Sequence, residues 1–227
     1  MIRVTENLRK IRDLLAKAAE DAGRSADQVK LLAVSKKQPA SAIAEAAAAG
    51  QNDFGENQVL EGVEKIKLIA DPTLVWHFIG HLQTNKTRAV AEHYDWVHSI
   101  DRLKTAQRLS RQRPDDLPDL NICVQVNVDD EQSKSGVAIT DAADLARQIA
   151  DLPRLRFRGL MCLPAVREDF EAQREPFRRL CLLADQLGGN GLPVDTLSMG
   201  MSADFRAAVF EGSTMVRVGT AIFGARA

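Results

Sequence analysis

Eight short strand-like runs, most of them apolar and each followed by a stretch of helical periodicity, alternate without interruption along the 227 residues. The first, VKLLAVS (29–35), is apolar almost throughout, the pattern of a strand buried on both faces of a parallel sheet. Pro39 and Ser41 then open the alanine-rich segment SAIAEAAAAG, closed by Gly50 where a left-handed cap is wanted. The same grammar recurs at NDFGEN (52–57), LVWHFIGH (74–81), WVHSI (96–100), NICVQVNV (121–128), FRGLMCL (157–163), TLSM (196–199) and MVRV (215–218). The runs begin roughly 20 to 40 residues apart, bracketing the ~30 per unit of a closed (β/α)8 barrel of ~250 residues. An open doubly wound sheet also alternates, but it usually carries a glycine fingerprint after its first strand, where this chain has Ser-Lys-Lys-Gln. The expectation is therefore an α/β fold, a (β/α)8 (TIM) barrel, in which one domain spans residues 1–227.

Composition removes several function classes. Lys and Arg total 30 against 31 Asp and Glu, a net charge of −1, so no field exists to hold nucleic acid or an anionic membrane non-specifically. The first segment places Leu8, Ile11, Leu14, Leu15 and Ala18 at helical spacing among charges, an extra amphipathic N-terminal helix and not a signal peptide. No apolar run reaches the ~18 residues a membrane span needs. Cys123, Cys162 and Cys181 lie in apolar segments without C-x-x-C spacing, which reads as buried thiols in a reducing cytoplasm. His77 and His81 are four residues apart, but both fall in the strand-like run LVWHFIGH, so no two of His77, His81, His93 and His98 make the i, i+4 pair of a helical zinc site, and no metal is expected.

In a parallel barrel every strand ends on the same face, where the βα loops gather polar residues. Those residues here are Lys36, Asn57, His81, Asn127, Lys134, Ser198 to Ser202, Arg217, Gly219 and Thr220. Phosphate in such barrels is commonly held after the seventh and eighth strands. Ser198, Gly200, Gly219 and Thr220 therefore read either as a phosphate cup, with hydroxyl donors and glycines that admit close approach, or as two tight turns that need glycine. Lys36 is either a solvated charge or an amine made nucleophilic by desolvation and the neighbouring Lys37. A phosphorylated aldehyde would satisfy cup, arginine and lysine together, and a Schiff-base aldolase acting on a sugar phosphate is one enzyme that fits.

The segments VSKKQP, FGENQVLE, WHFIGHLQTNK, SKSG and, above all, LSMGMSADFRAAVFEGSTMVRVGTAIFGAR resemble the pyridoxal 5′-phosphate homeostasis protein family, over nearly the whole chain. That family has the barrel of the alanine racemase N-terminal domain (a fold-type III pyridoxal phosphate protein) without the racemase's second domain. The resemblance implies that pyridoxal 5′-phosphate (PLP) is the cofactor, held through a Lys36 Schiff base. It implies phosphate contacts from Ser198, Gly219, Thr220 and the backbone around Met199 and Gly200, with Arg217 facing the pyridine nitrogen and Asn57 and His81 lining the pocket near the ring. Lys134 corresponds to a family lysine implicated in ligand exchange. Gln58 and Gln38 depart from the family pattern, where an aromatic residue and a further lysine are common.

Arginine offers only donors, so a ring nitrogen facing Arg217 stays unprotonated and the cofactor is a weak electron sink. Racemisation also needs an acid/base group on the face opposite the lysine. The single tyrosine, Tyr94, precedes the fourth strand, at the opposite end of the barrel, and His81 is the other candidate. The expectation is a non-catalytic, monomeric, cytoplasmic PLP carrier that buffers the cofactor or delivers it to apo-enzymes, with a low-activity amino-acid racemase as the alternative.

Overall fold

The computed structural model describes residues 4–131, 134–192 and 194–224. Helix α1 (Val4–Asp21) comes first. The alternation then runs β1 (Lys30–Val34), α2 (Ala40–Ala48), β2 (Asp53–Glu56), α3 (Val59–Ile69), β3 (Val75–Phe78), α4 (Thr87–His93), β4 (Trp96–Ile100) and α5 (Leu103–Gln112). The second half runs β5 (Leu120–Asn127), β6 (Val137–Ala138), α6 (Ile139–Ala150), β7 (Leu155–Cys162), α7 (Phe170–Gly189), β8 (Thr196–Ser198), α8 (Phe205–Phe210), β9 (Met215–Val218) and α9 (Thr220–Phe223).

All strand pairings are parallel, and the order β4-β3-β2-β1-β9-β8-β7-β5 is closed by β4 on β5. The eight expected strands thus form the barrel. The ninth, β6, is an addition: Val137 and Ala138 pair with Val126 and Asn127 at the end of β5. Two residues are too few to announce a strand by alternation, which is why the sequence reads this stretch as loop.

The main core lies between barrel and helices. Ile43 and Ala46 of α2, Val90 and Ala91 of α4, and Phe177, Leu180 and Leu187 of α7 are buried there against outward-facing strand residues such as Phe54 and Phe78. Helix α1 buries Leu8, Ile11 and Leu15 and leaves Leu14 exposed, so its apolar stripe is narrower than the sequence pattern implies. Inside the barrel the filling is mixed. Trp96, Cys123 and Met161 form a small apolar cluster, and His77, His98, Ser198 and Arg217 are buried polar residues.

Register sets the geometry of the upper rim. Ala33 pairs with Val218, so the residues after β1 and after β9 emerge side by side at one level. On one strand that brings Ser35 and Lys36, on the other Gly219 and Thr220.

Candidate functional site

A cavity of about 620 Å³ opens at the C-terminal ends of the strands. Its wall includes Lys36, Asn57, His81, Arg217, Gly219 and Thr220, six residues from five loops or strands that the sequence separates by up to 184 positions. Lys134 and Gln38 contribute as well.

Each is placed by local structure. Lys36 follows Ser35, whose hydroxyl donates to Glu56 Oε1 at 2.7 Å and whose carbonyl accepts from Lys65 Nζ at 2.9 Å. Lys37, with φ 60°, turns the chain away and donates its N–H to Glu61 Oε1 at 2.5 Å. The turn that presents Lys36 is therefore bolted to a buried Glu56–Lys65–Glu61 cluster. Gly80 is needed opposite, because a Cβ there would sit 2.2 Å from the Asn57 carbonyl oxygen. Gly80 is not among the residues expected at the site from sequence, and its place directly after a strand is the available signal.

Arg217 points into the barrel and is 4% exposed. Its Nη1 donates to Ser198 O and, at 2.8 Å, to Ser198 Oγ; its Nη2 donates to Cys162 O at 2.8 Å. Burial lowers its pKa, yet a guanidinium remains the charged form in proteins.

The residues expected to form the phosphate cup are divided between cavity wall and core. Ser198, Met199 and Gly200 do not line the cavity; all three are buried, and Met201, Ser202 and Ala203 take the rim instead. The reason is the pleat: Ser198 is the last residue of β8, and its hydroxyl turns into the barrel toward Arg217 and His98. Gly200 has φ +92° and lies so close to α8 that a Cβ would meet Ala208 Cβ at 2.6 Å. Asp204 then accepts the Met201 N–H at 2.6 Å and fixes the exposed turn. Gly219 precedes α9, whose first-turn N–H groups have no partner within the helix.

Asn127 also stands apart from the cavity wall; its Nδ2 donates to Glu131 O at 2.8 Å. Lys134 is held at the rim by Asp129, 3.0 Å away. Burial pushes the Asp129 carboxyl up, but hydrogen bonds from Arg167, the Ala165 N–H and Lys134 outweigh it and hold the pKa at about 2. Tyr94 is fully buried outside the barrel, edge-on to Phe78 with ring centroids 5.6 Å apart, and its hydroxyl abuts Gly62. Burial and the nearby Glu56 raise its pKa. The Cys123 and Cys162 thiols are likewise pushed up by burial, each to about 12, and cannot act as thiolates. Among the described residues no cluster of His, Cys, Asp and Glu is placed to hold a metal, and no helix is long and apolar enough to cross a membrane.

The wall suits a flat, anionic, aldehyde-bearing ligand: the primary amines of Lys36 and Lys134, one buried guanidinium and a turn with hydroxyls and the N–H groups that open a helix. Asn57 Oδ1 is buried without a hydrogen-bond partner among the described residues, an acceptor left for a ligand donor or water.

Residues 3–227 match the family described as alanine racemase, N-terminal domain. The pyridoxal phosphate homeostasis protein of Pseudomonas aeruginosa is 54% identical over 226 residues, covering 100% of this chain and 97% of the relative. PipY of Synechococcus elongatus, solved with PLP bound, superposes with a TM-score of 0.84 at 36% identity, covering 97% of this chain and 100% of that one. An alanine racemase of Clostridium difficile shares the fold alone, with a TM-score of 0.79 at 14% identity; the match covers 98% of this chain and 56% of the racemase. With the closed barrel and the lysine–arginine cavity, these matches show that the chain belongs to the alanine racemase N-terminal domain family and, within it, to the pyridoxal phosphate homeostasis proteins.

Proposed function

We propose that this protein binds PLP in the upper cavity through Lys36 and holds it in reserve for other enzymes, contributing to vitamin B6 and amino-acid and keto-acid homeostasis. The observation that carries this reading is the convergence of Lys36, Arg217 and Gly219–Thr220 on one cavity of about 620 Å³. The PLP-bound PipY structure, 36% identical, supports it. When bound, the cofactor supplies an aldehyde that condenses reversibly with a primary amine, releasing water.

The chain's own residues do the rest. Lys36 offers the amine. Ser202, Thr220 and the N–H groups that open α9 grip the phosphate, with Ser202 taking the place of Ser198 in the cup of Ser198, Gly200, Gly219 and Thr220 expected from sequence. Arg217 donates toward the ring nitrogen and, lacking an acceptor, leaves it unprotonated. Asn57 and His81 flank the ring.

Turnover needs an acid or base across the ring from Lys36. Tyr94 is sealed outside the barrel, with a hydroxyl that resists ionisation. His81, exposed on the rim, is the remaining group. This supports a carrier over a racemase, and α-deuterium exchange across a panel of amino acids tests it: the carrier gives no exchange above background.

The binding reading is tested by the visible spectrum of the purified protein before and after addition of PLP. The wild type is expected to show an imine band and to be trapped by borohydride. Lys36→Ala should lose both while retaining part of the affinity through the phosphate. Undiminished trapping in that variant, or trapping of the wild type only when a sugar phosphate is added, refutes the reading.

A further inference from the structure

The barrel interior contains a hydrogen-bonded chain that the proposed function does not use. It starts at Arg217, whose Nη1 donates to Ser198 Oγ at 2.8 Å. Ser198 Oγ lies 2.8 Å from His98 Nδ1, His98 Nε2 lies 2.9 Å from His77 Nδ1, and His77 Nε2 lies 3.0 Å from Asp53 Oδ1. Asp53 stands at the opposite mouth of the barrel, at the start of β2, where Lys30 Nζ approaches its Oδ1 to 3.2 Å. Both imidazoles and the serine are fully buried, and Trp96 stacks on His77 with centroids 5.3 Å apart.

The two ends dictate the direction of every link. A guanidinium only donates, and a carboxylate only accepts. Because Arg217 occupies one lone pair of Ser198 Oγ, the serine O–H can turn to His98 Nδ1, which must then be bare. His98 in its neutral form carries its proton on Nε2 and donates to His77 Nδ1; His77 carries its own on Nε2 and donates to Asp53. The reverse direction would set a bare His77 nitrogen against an ionised carboxylate. The one competitor is a doubly protonated His77, and burial works against it, holding the pKa of both imidazoles below the ordinary value in spite of Asp53.

Among the described residues Arg217 hydrogen-bonds to uncharged groups, the Ser198 hydroxyl and the carbonyls of Ser198 and Cys162. Asp204 is the carboxylate on that side and its charge reaches Arg217, but its hydrogen bond is to the Met201 N–H and not to the guanidinium. A buried cation needs compensation.

We propose that Asp53 is the remote counter-ion of Arg217, joined to it by the one-way chain Arg217–Ser198–His98–His77–Asp53, so that the lower mouth of the barrel sets the orientation of the guanidinium that meets the ligand ring. Ser198, His98, His77 and Asp53 are positioning residues. The link to PLP rests on Arg217 facing the ring, as proposed above, but the chain itself exists without ligand.

The test uses the ligand-free protein first. Nitrogen-15 NMR at neutral pH should find His77 and His98 neutral and each in a single form, protonated on Nε2. In Asp53→Asn the terminal amide can accept or donate, so both histidines should become mixtures of the two tautomers together, although His98 does not touch residue 53. Asp204→Asn should leave both unchanged. The same Asp53→Asn protein, loaded with PLP, should still be trapped by borohydride but release the ligand roughly tenfold faster, the equivalent of ~1.4 kcal/mol. A doubly protonated His77, an unchanged His98 in Asp53→Asn, a response to Asp204→Asn alone, or unaltered PLP release would overturn the proposal. Should Asp53→Asn fail to fold, the wild-type tautomers and Ser198→Ala decide it: removal of the hydroxyl must shift the bare His98 Nδ1, which loses its donor, while His77, still facing Asp53, keeps its proton on Nε2; an unaffected His98 or a His77 that becomes a tautomer mixture would refute the chain. If the wild type takes up no PLP, the function proposed above fails while the NMR result stands separately.

Discussion

Removing the amine of Lys65 should leave a carboxylate stranded inside the protein. Glu56 is fully buried, and Oε1 receives Lys65 Nζ at 2.8 Å and Ser35 Oγ at 2.7 Å, while Oε2 has no partner among the described residues. Burial already raises the Glu56 pKa despite these donors. At 2.8 Å and an effective dielectric near 20 the attraction to Lys65 is ~6 kcal/mol, part of which offsets the desolvation of both groups. Lys65→Met keeps the volume and removes the charge, and the expected loss of stability at pH 7 is ~3–5 kcal/mol by urea denaturation. The sign of the pH dependence follows from the carboxyl. Its folded pKa rises further above the unfolded value, so the deficit is full above the folded pKa and shrinks as pH falls toward the unfolded value, by up to ~1.4 kcal/mol per unit. Glu56→Gln combined with Lys65→Met should recover most of the loss. A single variant that costs under ~1 kcal/mol, or a double variant no better than the single, would show that Glu56 is solvated or satisfied in another way. Because Ser35 belongs to the same cluster, the single variant should also slow imine formation at Lys36.

Asp129, held at a pKa of about 2 against an ordinary 3.8, contributes ~2 kcal/mol that is fully present above about pH 4 and is lost as pH falls through the folded value. Asp129→Asn should therefore flatten the acid limb of a stability–pH curve between roughly pH 4 and 2, and an unchanged limb would count against the Arg167–Asp129–Lys134 strap. Gly200→Ala should cost ~2–4 kcal/mol, since the new methyl meets Ala208 Cβ at 2.6 Å in a backbone conformation that alanine resists. Thermal unfolding measures it, and a neutral result would place the turn elsewhere.

The barrel is legible in the sequence because parallel strands buried on both faces read as near-continuous apolar runs, of which β1 is the plainest. That same property hides the interior. When both faces are buried, nothing in VWHF or WVHSI says which residues turn inward, so His77 and His98 read as scattered histidines and not as neighbours 2.9 Å apart. The rim is legible to within a residue or two. Lys36, Gly219 and Thr220 fall where strand ends predict, because β1 and β9 stop abruptly at a serine and a glycine. The hydroxyl of the seventh-strand turn does not: TLSMGMS offers two serines, and only the pleat decides that Ser198 faces the core and Ser202 the cavity. Strand β6 escapes because its pairing partner lies across a loop and not in its own pattern.

Helix α1 is synthesised before any strand, yet Asn7 Nδ2 bonds the Ile222 carbonyl of α9 at 2.9 Å, and Arg24 Nη1 bonds the carbonyls of Val209 and Ser213. The β9–α9 unit therefore docks on a helix and turn that are made well before it. A lesion in that docking face should let the β9–α9 unit swing open while the rest of the barrel holds, taking Gly219 and Thr220 with it and leaving Lys36 without the other half of its grip.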